Sequence, residues 1–202
     1  MNEVKKVDVN ITSCATAVPY ITFAFCILAF VFAANCLGVF DEGGTLAIGL
    51  CQLGCYGVYH IGTMKLSDTG DVFATNIYGI FACVFAGVGG VANVGAALCT
   101  RYNIPFDGRV SAIAYFLSGV ILIVFVPTML HSAKADFFVF LGGGIGCLGC
   151  GLAGFGILTF LMPLYACGLA ACGIAGMFNV FHALFGCFGI NVPTGKPFIP
   201  SK

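Results

Sequence analysis

Charge is what this chain has least of. Of 202 residues, eight are acidic and eight basic, a charged fraction of 8%, where an ordinary soluble domain carries about a quarter. So few ionised groups cannot coat a globule of 21.0 kDa, which excludes a water-soluble enzyme. The net charge is zero and no basic run occurs, so nucleic acid has no electrostatic footprint to meet. Also missing are a nucleophile–base pair and a complete metal-ligand set, so neither enzymatic activity nor a cofactor is expected. No short apolar core with a small-residue cleavage site opens the chain, which argues against a cleavable signal.

Apolar residues make up 60% of the chain, with 29 glycines among the rest. Apolar segments of about 20 residues satisfy their backbone groups in lipid as helices. Six such spans can be drawn, at about 19–40, 45–62, 76–100, 110–130, 137–161 and from Pro163 to about 189. The expectation is an all-α polytopic membrane protein with six transmembrane helices in a compact bundle. A polar amino-terminal tail would occupy residues 1–18, the transmembrane domain 19–189 and a carboxyl-terminal tail 190–202. That last tail carries three prolines and reads as extended coil. Residues 64–75 (MKLSDTGDVFAT) are too polar to span, and read either as a short interfacial or re-entrant segment or as a plain loop.

The charges are placed as well as scarce. All eight acids fall at the amino terminus or in the breaks between spans. This predicts a membrane core free of fixed charge, since an ion at a helix centre costs roughly 2.5–3.5 kcal/mol. With six spans, Lys5, Lys6, Lys65, Lys134, Lys196 and Lys202 share one side and only Arg101 and Arg109 the other. Under the positive-inside rule both termini are cytoplasmic, most simply in a plasma membrane. Asn10-Ile11-Thr12 matches a glycosylation acceptor but would then face the wrong compartment.

Eleven of the twelve cysteines lie inside the spans, and only Cys14 lies outside. Cys147 and Cys150 have zinc or redox spacing, yet no further ligands complete a site, so a packing role is expected. Small residues recur every fourth position at Ala82, Ala86 and Gly90, at Gly142, Gly146, Cys150 and Gly154, and at Gly168, Cys172 and Gly176. Such stripes let helix backbones approach closely. Three of them exceed the evident needs of one bundle, which points to a homo-oligomer. Polar residues inside the spans are few: Asn35, Gln52, Asn93, Asn179 and His182, with Tyr78 and Tyr115 near them. They should face the bundle interior. His182 follows Asn179 by three residues and shares its helix face. It is either a proton-sensitive gate or a neutral ring bonded to a neighbouring helix.

Gly49-Leu50-Cys51-Gln52, then Gly57, then Gly70-Asp71-Val72-Phe73-Ala74-Thr75-Asn76-Ile77-Tyr78-Gly79-Ile80-Phe81 resembles the signature of the acetate uptake transporters, the AceTr or YaaH-like family. Its pattern runs "GG-x-x-Q … G-x-T-F-x-A-T-A-F-x-S-Y-G-x-F-W". Asn191-Val192-Pro193-Thr194-Gly195-Lys196-Pro197-Phe198 resembles the family's closing "L-P-x-G-x-P", and Ala17-Val18-Pro19-Tyr20-Ile21 stands for its "NPAPLGL". The resemblance implies a hexamer of six-helix subunits, each moving acetate or succinate with a proton. It implies a Phe–Tyr–Leu constriction at mid-membrane, with Phe25 and Tyr78 in the first two roles. The Leu falls near Leu141, with Gly143 the gapless match, so the waist would be wider or closed by Leu141. The tryptophan of "Y-G-x-F-W" is Ala82 here and the acidic residue near the family's carboxyl end is missing.

The composition suits that substrate independently. A small carboxylate needs a few hydrogen-bond donors and an apolar waist, which Asn35, Gln52, Tyr78, Asn179 and His182 could line. The expected partners are thus a small carboxylate, a proton, membrane lipid and further copies of the chain. The competing expectation is a tetraspan-like organising protein whose polar residues are only interhelical glue.

Overall fold

A computed structural model describes residues 17–41 and 43–200. Lys5, Lys6, Asn10, Cys14, Glu42 and Lys202 lie outside the described residues. Among the described residues, six long helices in chain order form the bundle: α1 Val18–Cys36, α2 Gly44–Asp68, α3 Val72–Arg101, α4 Arg109–Met129, α5 Lys134–Gly154 and α6 Met162–Gly186. A single 3₁₀ turn, Thr159–Leu161, precedes α6, and no strand occurs among the described residues. Five helices are long and apolar enough to cross a membrane, the last taken together with its 3₁₀ turn as Thr159–Gly186. The sixth, α2, has 25 residues and so reaches about 37 Å at 1.5 Å per residue. It is long enough but more polar, because it carries Gln52, His60, Lys65, Ser67 and Asp68.

Local chemistry sets the boundaries. Pro19 sits in the first turn of α1 and Pro163 in that of α6, where a missing N–H costs nothing. The sequence reading of 64–75 fails. Its first five residues continue α2, and the chain turns back in only three, Thr69, Gly70 and Asp71. Gly70 takes φ +76°, a conformation open to glycine at little cost. The Asp71 carboxylate then caps α3 by accepting the Ala74 N–H at 3.0 Å. The expected fifth span also shifts. α5 begins at Lys134 and ends at Gly154, and Gly156 (φ +77°) and Leu158 (φ +54°) turn the chain before α6. In the middle of α3, Phe81–Val88 is wound as a π-helix, a form that loosens the usual i→i−4 ladder.

Packing settles where the small-residue stripes point. A side chain at Gly142 would meet the Gly168 carbonyl and the Cys172 backbone, one at Gly146 would meet Leu169, and one at Gly154 would meet Ala112. Ala82, Ala86 and Cys172 are buried within the subunit. The stripes therefore knit α5 to α4 and to α6, α6 to α1 through Gly176 against Cys26, and α3 to α2 through Gly90 against Leu53. None is surplus, so the sequence argument from spare stripes to an oligomer no longer holds.

The carboxyl-terminal tail is extended, as its prolines require, but it is docked. Ala135 N–H donates to the Thr194 carbonyl at 3.0 Å, and Ile199 N–H to the Leu130 carbonyl at 3.0 Å. Phe198 stacks edge-on against Phe137 at 5.0 Å, with the Lys134 ammonium over its ring. The tail thereby satisfies first-turn donors of α5 that would otherwise lack partners.

Candidate functional site

One end of the bundle is hollow. A cavity of about 720 Å³ opens among α1, α3, α4, α5 and α6. Val18, Asp71, Met129, Ser132, Ala133, Asp136, His182 and Thr194 surround its mouth, and Phe25, Phe81 and Leu122 lie at its depth. The mouth falls at the starts of α1, α3 and α5 and the ends of α4 and α6, which antiparallel order brings to one face.

Four of the sequence-selected residues meet here: Phe25, Tyr78, Asn179 and His182. The Tyr78 hydroxyl and Thr22 Oγ1 share a hydrogen bond of 2.8 Å. Asn179 Nδ2 donates to Asp136 Oδ1 at 2.7 Å. His182 Nδ1 lies 2.7 Å from the Val192 carbonyl oxygen. A carbonyl only accepts, so Nδ1 carries the proton in that bond. Its partner is the docked tail, not the neighbouring helix that one of the two readings of His182 expected. Thr128, Ser132 and Thr194 add hydroxyls around the mouth.

At the floor, Phe25 packs edge-to-face on Phe81 with centroids 5.5 Å apart. Gly143 lies beneath, where an added Cβ would stand 3.0 Å from Leu122 Cδ1 and 3.5 Å from Phe25 Cζ. The space a leucine would fill at this position is taken from the side by Leu122 on α4. The floor is therefore neither widened by Gly143 nor closed by Leu141. Leu141 is half-buried on α5 and does not line the cavity. Below the floor the rings continue, Phe81 on Phe85 at 5.9 Å, Phe85 on Phe32 at 5.1 Å and Phe32 on Tyr115 at 5.1 Å. This aromatic column seals the cavity from the opposite end.

Two expected lining residues lie elsewhere. Asn35 is exposed near the far end of α1. Gln52 is wholly buried at the sealed end, donating to the Phe85 carbonyl at 2.6 Å and accepting from Asn93 Nδ2 at 2.7 Å and the Tyr115 hydroxyl at 3.3 Å. Asn93 also donates to the Tyr115 oxygen at 2.5 Å. The π turn presents the Phe85 carbonyl sideways to Gln52, and every polar atom of that amide has a protein partner. This is glue, not lining.

The expected place of Asp136 in a break between spans needs correction as well. Asp136 is the third residue of α5, half-buried, and lines the cavity with Asp71. Among the described residues, no Lys or Arg lines it. The sequence reading set Asp136 in a loop because Lys134 and Asp136 interrupt the apolar run. Its spacing was the available signal: Asp136, Phe140 and Gly143 stand at i, i+4 and i+7, one helix face. Thr22 and Leu122 carried no such signal, since their roles arise from distant contacts.

Outside the spans, the Arg109 guanidinium clamps Asp107 with bonds of 2.6–3.0 Å and holds its carboxyl down at about 2, from an ordinary 3.8. That pair lies at the sealed end, remote from the cavity. Compared with known proteins, the sequence matches no family model and no curated protein.

Proposed function

We propose that this chain moves small carboxylic acids, from acetate up to the size of succinate, across a membrane together with a proton. The observation that carries the reading is the convergence of Phe25, Tyr78, Asn179 and His182 on one cavity. An apolar floor of aromatic rings suits a methyl group, and the hydroxyls and amide around Tyr78 and Asn179 suit a carboxyl. A dissociated carboxylate beside Asp71 and Asp136 would be repelled unless a proton neutralises one partner. That requirement is why the solute should travel with a proton. Release past the floor needs the aromatic column to part, and the π segment carrying Phe81 and Phe85 is the natural place for α3 to change winding.

The basic residues Lys65, Lys134 and Lys196 lie at the end of the bundle that holds the cavity, outside its lining, and Arg101 and Arg109 at the sealed end. Under the positive-inside rule this supports a cytoplasmic mouth and cytoplasmic termini, in a plasma membrane. Membership of the acetate uptake transporter family, and a hexamer with it, rests on the motifs around Gly70–Phe81 and Asn191–Phe198. A second reading is favoured by the two carboxylates, with no base among the described lining residues: a small organic cation held over the rings.

Labelled acetate and labelled methylammonium, offered to proteoliposomes with and without an inward proton gradient, separate these readings. Acetate uptake accelerated by the gradient supports the proposal, and Phe25→Ala should then speed flux and admit larger acids. Methylammonium uptake without acetate uptake supports the second reading. No uptake of either makes the chain an organising protein.

A further inference from the structure

At the end of the bundle away from the cavity, two thiols face each other. Cys36 is the last residue of α1 and Cys150 lies four residues before the end of α5. Their sulfurs are 3.5 Å apart although the residues are 114 positions apart in the chain. We propose that Cys36 and Cys150 form a reversible disulfide that clasps α1 to α5. The inference is independent of what the cavity carries.

The geometry is close to the bond already. A disulfide needs sulfurs about 2.05 Å apart, so the pair must close by roughly 1.5 Å. Cys36 stands at a helix end followed by exposed residues, Leu37 at 61% and Val39 at 66%, and helix ends open locally at little cost. Cys147, one turn along α5, is buried at 2% and has no sulfur contact of this kind. The remaining core thiols, Cys26, Cys55 and Cys172, are buried as packing, and Cys55 Sγ donates to the Ala24 carbonyl at 3.8 Å.

The oxidant is a disulfide, of a small thiol or of an oxidoreductase. The Cys36 thiol gives up its proton to water and the thiolate attacks one sulfur of the oxidant. The oxidant's S–S bond breaks, and its second sulfur leaves as a thiolate and takes up a proton. The Cys150 thiol then gives its proton to water and its thiolate attacks the Cys36 sulfur; the mixed disulfide breaks, and the oxidant sulfur bound to Cys36 leaves as a thiolate that takes up a proton. Two protein thiols are oxidised by two electrons and one disulfide is reduced to two thiols. Because α1 carries Phe25 and α5 carries Gly143 beneath it, the clasp would fix the two helices whose spacing sets the cavity floor.

The test equilibrates the full chain, in lipid nanodiscs, with glutathione buffers from reducing to oxidising. Free thiols are then blocked with N-ethylmaleimide, and the protein is digested without reductant for mass spectrometry. The expected result is a linked Cys36–Cys150 peptide appearing at a single midpoint, with two fewer maleimide adducts and a raised thermal midpoint. Cys150→Ser should abolish the link and the thermal shift, while Cys147→Ala should retain both. Wild-type protein alone decides the matter should a variant fail to fold. Oxidation that leaves Cys36 and Cys150 free while exposed Cys83, Cys167 or Cys187 take up glutathione overturns the proposal, as does a link from Cys36 to Cys147.

Discussion

Two polar clusters share this bundle and use nearly the same side chains to opposite ends. At the sealed end, Gln52, Asn93, Tyr115 and the Phe85 carbonyl bond only to one another. At the hollow end, Tyr78 with Thr22, and Asn179 with Asp136, make one bond each and border empty volume. A tyrosine and an amide are therefore not evidence of a pore by themselves. What separates glue from lining is whether the hydrogen-bonding capacity is spent inside the protein. By that measure Gln52 leaves the site it was expected to join, and Asp136 enters it.

The contrast can be broken by substitution, beginning where the packing is tightest. Gly146→Leu would drive a side chain into Leu169 within the same subunit. Overpacking of this kind costs about 1–3 kcal/mol or more. The yield of folded protein in a detergent thermal-shift assay should fall sharply, without a preceding change of oligomeric state. Gln52→Leu comes next. It removes the acceptor of the Tyr115 O–H and the side-chain donor to the Phe85 carbonyl, while Asn93 keeps its bond to the Tyr115 oxygen, at about 1–3 kcal/mol for an unsatisfied buried group. The thermal midpoint should drop while acetate flux per folded molecule stays unchanged.

Asp136→Asn should act in the reverse sense. The new amide oxygen can still accept from Asn179 Nδ2, so the fold survives, but the titratable group is gone. Acetate flux should lose its acceleration by an inward proton gradient, measured in proteoliposomes between about pH 5 and 8. The smallest effect belongs to Asp107→Asn. The folded carboxyl is held low by Arg109, at about 2, so whatever stability it contributes is present above its ordinary range and is lost only as pH falls through about 2. Across the neutral range its charge is constant, and the pH profile of flux should match that of the wild type.

Much of the architecture was legible in composition and period. Scarce charge placed at the breaks predicts an all-α bundle, and the proline positions anticipate the starts of α1 and α6. What escaped was set by contacts between distant segments. Residues 64–75 mix apolar and polar side chains and gave no clean signal, yet Gly70 and the Asp71 cap fold them into a three-residue turn. The tail was legible as extended but not as docked, because its anchors are carbonyls of Thr194 and Val192 meeting α5 and His182. Phe25 and Tyr78 were found through a motif. Leu122, which fills the space above Gly143, could be found only from the packing. The π turn in α3 leaves no mark in its apolar sequence, and without it the reason for Gln52 is invisible.

The most direct measurement removes one hydroxyl from each cluster. Tyr78→Phe and Tyr115→Phe each keep the ring and delete a hydrogen bond worth about 0.5–1.5 kcal/mol. Labelled-acetate flux in proteoliposomes is then compared per folded molecule. The account predicts that Tyr78→Phe lowers flux by about two- to tenfold, while Tyr115→Phe lowers only the thermal midpoint. Unaltered flux in Tyr78→Phe, or a loss confined to Tyr115→Phe, would contradict it.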